Sequence, residues 1–411
     1  MKNDKIILIL SAAGLMVLSP GSTVISAQEP AGYTLLDCYR LALKQSETVA
    51  VRRELIDEAE GIMKEAFSGI LPNVSYSHTE TWQDGDQKTE SRFVFSQPLF
   101  RGFKEFAAIA GGHSRKEQRL LELERAKQIL FRDVADAFYL YLSFQQDIDV
   151  LESIQMTLTD RIDELKKRES LGRSRQSELA SVEARISRLD ADIEGVRTKQ
   201  EVARQLLEFL TGQMIERLID DQPIDNDLTL SESLQEAVGQ RPDVAALKEV
   251  WVQSQKQVTI ARAGYYPEVV LDANQYTKSE TDKDWDVALS VDVPLFQGGE
   301  TAGQVRQAKS QANQSQLRYE EIQRTALLEI NNAYSRFSSS LRRQEALRKA
   351  LEAIQKNYDL QQEDFRINLV NNLDVLQALE DLQDSKRDYI AVQNQLKQFY
   401  WQLKVALGQI P

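Results

Sequence analysis

Self-similarity at a spacing of 195 to 196 residues constrains this chain more than any other feature, because a duplicated sequence folds into two copies of one unit. Val49, Gly69, Pro72 and Val74 recur as Val244, Gly264, Pro267 and Val269, each 195 residues on. Pro98, Phe100 and Gly102 recur as Pro294, Phe296 and Gly298, now 196 on, and Gly212 recurs as Gly408 at the same offset. Landmarks that hold register over so much of the chain divide it into a first repeat over 28–219, a linker over 220–227 and a second repeat over 228–411.

Each repeat reads in the same order. A helix is predicted first, over about 35–68 and 230–263, with Arg241, Pro242 and Asp243 marking a break or a new start in the second copy. Two extended runs follow. Asn73–Trp82 and Arg92–Leu99 flank a polar segment, Gln83–Glu90, and Glu268–Thr277 and Trp285–Val293 flank Lys278–Asp284. In the last run Trp285, Val287, Leu289 and Val291 alternate with Asp286, Ala288, Ser290 and Asp292, the period of a strand with one dry and one wet face. The expectation is two β-hairpins with long polar tips. No proline occurs between Pro98 and Pro223 or between Pro294 and Pro411, so two very long helices complete each unit. Leu130, Val134, Ala137, Tyr141, Phe144, Ile148 and Leu151 step by four and three, and the pattern resumes after Gly172 as Val182, Ile186, Leu189, Ile193 and Val196. That narrow seam is coiled-coil packing, and a helix over 104–168 would run about 100 Å. By themselves the helices fit an ordinary cytosolic coiled coil.

The N-terminus points elsewhere. Lys2 and Lys5 precede an apolar run, Ile6–Leu18, closed by Pro20 and Gly21, with Ile25 and Ala27 at positions −3 and −1 of a cleavage site. Residues 1–27 are expected to be a secretory signal peptide, too short to span a bilayer. No other stretch is apolar enough to cross as a helix. Cys38 is the lone thiol, eleven residues past the expected cleavage, so neither a disulfide nor N-terminal lipidation is expected. With His78 and His113 the only histidines, metal sites and His-based triads lack material, and no cofactor or catalytic constellation is found. A formal charge of −13 argues against a nucleic-acid partner.

The hairpins decide between compartments. A membrane barrel needs at least eight strands, and one chain supplies four, so copies must pool theirs if the strands enter lipid. Strands of about ten residues suit a tilted membrane strand. Trp82 and Trp285 stand at the tip ends, while Phe100, Phe103, Phe296, Tyr265 and Tyr266 stand at the other ends, as two aromatic belts would.

At this point the chain resembles the TolC-type outer-membrane factor family. The resemblance rests on Ala66 to Pro72, Gln97 to Gly102, Arg241 to Asp243, Val293 to Gly299 and Leu373 to Ala378, and covers both repeats. It implies a mainly α fold with a small β part. Duplicated antiparallel coiled-coil helices would form a periplasmic α-barrel, and two hairpins per chain would give a homotrimer twelve strands of outer-membrane β-barrel. It implies a passive exit duct in outer-membrane lipid, docked to a periplasmic adaptor and an inner-membrane transporter in a tripartite efflux or type I secretion system. Adaptor contact is expected at the two helix–helix turns, at Gly172, Arg173, Ser174, Asn368, Leu369 and Asn371. Members commonly have Gly where this chain has Asn368, and Asn tolerates the left-handed backbone such a turn uses. A long C-terminal tail of the kind some members carry is not expected. The family's closed periplasmic end is lined by carboxylates just past the second turn. Asp374 matches the first of these and Gln377 occupies the next turn, so the expected constriction is one charged ring with one neutral ring above it. Asp374 also suits a plain helix-start carboxylate, and the two roles can coexist. The competing reading is a periplasmic coiled-coil adaptor or scaffold, which would lack paired barrel strands with aromatic belts and would bring a lipoyl-like β domain, absent here.

Overall fold

A computed structural model describes residues 32–83, 86–215, 217–225, 234–279 and 283–410. The expected signal peptide, and part of the expected linker, lie outside the described residues. The elements recur in one order. The first set is α1 (Leu35–Gln45), α2 (Glu47–Ser68), β1 (Asn73–Gln83), β2 (Asp86–Arg101), α3 (Lys104–Ser170) and α4 (Gln176–Thr211). The second is α5 (Leu234–Gln240), α6 (Pro242–Arg262), β3 (Glu268–Lys278), β4 (Trp285–Asp292), α7 (Glu300–Arg366) and α8 (Asn372–Ala406).

The helix expected over 35–68 is two helices, a correction to the sequence reading. Ser46 leaves the helical backbone at ψ 111° and its hydroxyl accepts from the Val49 amide at 3.3 Å, so one side chain caps the new start. Its counterpart 195 residues on is Arg241, where Pro242 made the break legible.

α3 and α7 are 67 residues each, about 100 Å long. Each returns through a tight turn into α4 or α8. In the first turn Gly172 has φ +68°, and the Arg173 amide donates to the Arg168 carbonyl at 2.8 Å. Asn368 takes the same place at φ +59°, with the Leu369 amide donating to Asp364 at 2.9 Å, so asparagine preserves the turn as expected. The heptad seam is the core of the lower half: Leu151, Leu158 and Leu165 meet Val182, Leu189, Val375 and Leu379. A second, aromatic core of Phe131, Phe138, Tyr139, Tyr400 and Trp401 joins the two repeats nearer the sheet.

The helices form a curtain. In the half nearer the sheet the order is α2, α3, α6, α7; in the far half it is α4, α3, α8, α7. The four strands make one antiparallel sheet in the order β1-β2-β3-β4. Here too the sequence reading is corrected. Gln83–Glu90 is not an eight-residue tip, because β1 and β2 stay paired to Gln83 and Asp86. The successive pairs Thr79 with Glu90 and Glu80 with Thr89 fall on opposite faces and are polar on both, which reads as loop in sequence although Thr suits a strand.

Candidate functional site: the sheet face and the helical tips

Cross-strand register sorts the sheet into two faces. One carries Val74 and Tyr76 from β1, Phe93 and Phe95 from β2, Leu271 from β3, and Trp285, Val287, Leu289 and Val291 from β4. The other carries Ser75, Ser77, Arg92, Asp272, Asn274, Asp286 and Ser290. The apolar face is bare: Val74, Leu289 and Val291 are each about 60% exposed. Val94 and Val270 interrupt the polar face and Gln97 and Gln275 the apolar one, but the alternation, with the greasy side open, fits a sheet whose solvent on that side is hydrocarbon. Among the described residues both edges, β1 and β4, lack a partner strand.

The aromatic residues fall at both ends of this face. Phe100 packs edge-on against Phe103 and Tyr266, at 5.3 and 6.4 Å between centroids, and Tyr265 and Phe296 stand exposed nearby in sequence to the same strand ends. At the tip end, Trp285 pairs with Gln275, which pairs with Phe93, which pairs with Tyr76. Trp82 lies six residues beyond that row, about 20 Å along the strands. Within one chain the two tryptophans are therefore not side by side.

The tips at the other end of the helices carry the expected turn residues. Gly172, Arg173, Asn368, Leu369 and Asn371 are exposed, and the half-buried Ser174 donates its hydroxyl to Glu178 at 2.7 Å. Leu171, Ile367 and Leu373 stand exposed beside them, which the sequence reading did not single out. The two tips are tied to each other. The guanidinium groups of Arg161 and Arg168 lie over the Phe365 ring at 4.5 and 4.3 Å, and Glu164 bonds both at 2.9 Å.

Asp374 is the third residue of α8 and closes a capping box. Its carboxylate accepts from the Asn371 amide, and its own amide donates to the Asn371 side chain, both at 3.1 Å. Asp374 and Gln377 are both exposed, on the side of α8 away from buried Val375, Leu376 and Leu379. Gln377 donates to Asp381 at 3.1 Å, and Asp384 and Asp388 continue the exposed row. Partial burial, then the neighbouring Glu380, Asp388 and Asp381 charges, raise the Asp384 carboxyl above its ordinary range. The sequence reading gave Asp374 and Gln377 as the constriction and not the rest of the row, because a row of acids on a helix looks like any solvated face until the buried side is known.

Among the described residues no His, Cys, Asp and Glu side chains gather as a metal site, and no helix is long and apolar enough to cross a membrane.

Residues 233–409 match the family model described as outer membrane efflux protein. The alkaline protease secretion protein AprF of Pseudomonas aeruginosa is 23% identical over 414 residues, covering 89% of this chain and 84% of that protein. The outer membrane protein TolC of Vibrio cholerae is 21% identical over 384 residues, covering 85% and 86%. A toluene efflux pump outer membrane protein of Pseudomonas putida is 23% identical over 412 residues, covering 93% and 86%. Among solved structures, CusC superposes with a TM-score of 0.82 at 16% identity over 94% of this chain and 96% of that one. VceC of Vibrio cholerae does so with a TM-score of 0.76 at 20% identity, over 91% and 96%.

Proposed function

We infer that this chain, a member of the TolC-type outer-membrane efflux protein family, is the outer-membrane exit duct of a tripartite efflux or type I secretion system. Members of that family are channels rather than enzymes. The observation that carries the reading is the bare apolar sheet with two free edges, joined to helical hairpins about 100 Å long. Four strands cannot close in lipid, where an open edge leaves backbone groups without partners. Three copies give twelve strands in one barrel, and their curtains of helices give one tube across the periplasm. Relatives that serve protease secretion and toluene efflux fit a passive tube whose cargo is chosen elsewhere.

The remaining roles follow from that geometry. Trp82, Trp285, Phe100, Phe296, Tyr265 and Tyr266 sit at the two lipid–water interfaces. The turns at Gly172 to Ser174 and Asn368 to Asn371, with exposed Leu171, Ile367, Leu369 and Leu373, meet a periplasmic adaptor that links the duct to an inner-membrane transporter. Asp374 and Gln377 line the narrow periplasmic end, with Asp381, Asp384 and Asp388 leading away from it. The two repeats span 28–219 and 228–411, after a signal peptide over 1–27. Native mass spectrometry of the detergent-extracted protein tests the assembly: a trimer is expected, and a stable, folded monomer released without detergent would overturn the duct.

A further inference from the structure

We propose that the outward face of the first hairpin's tip, built on Trp82, holds the sugar head of a saccharide-bearing lipid in the outer leaflet around the duct. The proposal rests on the duct reading, which makes the bare apolar face the lipid side, and adds to it a ligand class.

That face changes chemistry along its length. Cross-strand register puts Val74, Tyr76, His78, Glu80 and Trp82 of β1 on one side, beside Phe95, Phe93, Ser91, Thr89 and Gln87 of β2. The first two rows are apolar, and the Tyr76 and Phe93 rings lie 5.1 Å apart between centroids. The next two rows are polar, and the last sets an indole beside an amide. Hydrocarbon on this side therefore ends between Tyr76 and His78.

Height decides what covers the upper rows. Trp82 is six residues past Tyr76 on the same strand, about 20 Å along it and about 15 Å above it at a tilt of about 40°. The head-group layer of a phospholipid leaflet is about 5–8 Å deep. Trp82 clears that layer, yet it is 70% exposed and its cross-strand partner is Gln87. Among phospholipids the indole would stand in water. A leaflet of saccharide-headed lipids makes a deeper interface, with Trp285 near the hydrocarbon edge, in the row of Phe93 and Tyr76, and Trp82 among the sugars.

The groups on this face suit sugars. An indole offers a flat apolar surface on which the C–H face of a pyranose stacks, and an N–H that donates to a hydroxyl. The polar side chains beside it are already placed. Gln87 donates to Glu80 at 3.3 Å, His78 Nε2 lies 3.5 Å from Glu80, and His78 Nδ1 shares a 2.8 Å hydrogen bond with Ser91. Amide, carboxylate, imidazole and hydroxyl together present both donors and acceptors. Charge narrows the partner further. Residues 79–90 carry four acids and one base, which repels phosphate and leaves uncharged hydroxyls as the better match.

The ribbon also stands alone. Among the described residues β3 follows β2 outward no further than the pair of Lys278 with Ser91, so the pairs from Thr79 with Glu90 to Gln83 with Asp86 belong to two strands only. A two-stranded ribbon is marginal in water, and sugars packed on its outward face give it the support it lacks.

Lipid titration of the detergent-purified protein tests the site, with native mass spectrometry counting bound lipid. The probes are lipopolysaccharide truncated to its core sugars, lipid A, which keeps the acyl chains and phosphates without that core, and phosphatidylethanolamine. The parent trimer should prefer the core-bearing lipid to lipid A by about tenfold, the worth of one good stacking contact. Trp82→Ala should erase that preference and leave lipid A binding unchanged, Trp82→Phe should keep most of it, and Gln87→Ala should lose part. Equal affinity of the parent trimer for core-bearing lipid and lipid A, or a preference that survives Trp82→Ala, overturns the sugar site and leaves the duct standing. A folded monomer in the parent overturns the duct reading, and with it the side assigned to lipid.

Discussion

Arg241→Met should cost about 2–4 kcal/mol of stability, more than most single changes on helices this exposed. The Arg241 side chain is fully buried. It donates to both Asp243 oxygens at 3.0 and 2.6 Å, to Glu329 at 2.7 Å and to the Ala406 carbonyl at 3.3 Å, tying α6, α7 and the end of α8 together. Burial alone pushes the Asp243 carboxyl up, but the Arg241 hydrogen bonds and the Arg125 and Arg241 charges outweigh it, and its pKa ends below the ordinary carboxylate value. Methionine keeps the volume and removes every donor. Breaking a buried pair costs about 3–5 kcal/mol, but Glu329 is half exposed and Asp243 keeps Arg125 at 3.3 Å, which lowers the figure. The sign with pH follows. In the parent, Asp243 contributes stability above pH 3.8 that is lost as pH falls through its depressed folded value. In the variant its pKa rises, so the deficit relative to the parent should shrink as pH falls. Denaturation in detergent followed by far-ultraviolet circular dichroism measures both. A deficit under about 0.5 kcal/mol, or one that does not change with pH, would refute the node as a fastening.

Asp374→Asn keeps an acceptor for the capping box while removing the charge. It should lower cation selectivity and multivalent-cation block in planar bilayers with stability little changed, and unaltered selectivity would leave Asp374 a helix-start residue only. Asp384, with its raised pKa, should begin to protonate above pH 3.8 on acidification, so selectivity should begin to fall there, and folded stability should gain from this group over the same window; reversal potentials against pH check it. Photocrosslinkers at Ser174 and Asn371 should capture a periplasmic partner, whereas capture only near Lys88 would reverse the orientation. Intact mass of the envelope-extracted protein should begin after Ala27, and a retained Met1 would contradict cleavage.

What could be read from sequence was whatever repeats. The seam from Leu130 to Val196 announces itself by period, and the two hairpins by alternation, so the element order was legible in the sequence alone. Single-residue devices were not. Ser46 breaks a helix with one hydroxyl, a signal that any exposed serine in a helix also gives, and only the proline after Arg241 made the equivalent break visible. The outer part of the first hairpin is polar on both faces, so alternation vanished there and the strands passed for a loop. Asp381, Asp384 and Asp388 could join Asp374 only once Val375, Leu379 and Leu382 fixed which side of α8 is buried.

The change of offset from 195 to 196 shows where this architecture tolerates variation. The extra residue of the second repeat enters between Val269 and Pro294, within the hairpin region, and nowhere in the long helices, which keep the same 67-residue length in both copies. One residue inserted in an α-helix turns everything beyond it by about 100°, which would swing the buried seam out of its core. In a strand the same insertion flips the faces, unless a bulge or the tip absorbs it. β2 and β3 already carry irregularities of register near Ser91 and near Leu99, outside the run from Arg92 to Pro98 that sets the faces. The sheet therefore has places to lose a residue and the coiled coil has none. Duplication preserved the helices as rulers that fix the distance from membrane to tip, and left the hairpins free to adjust.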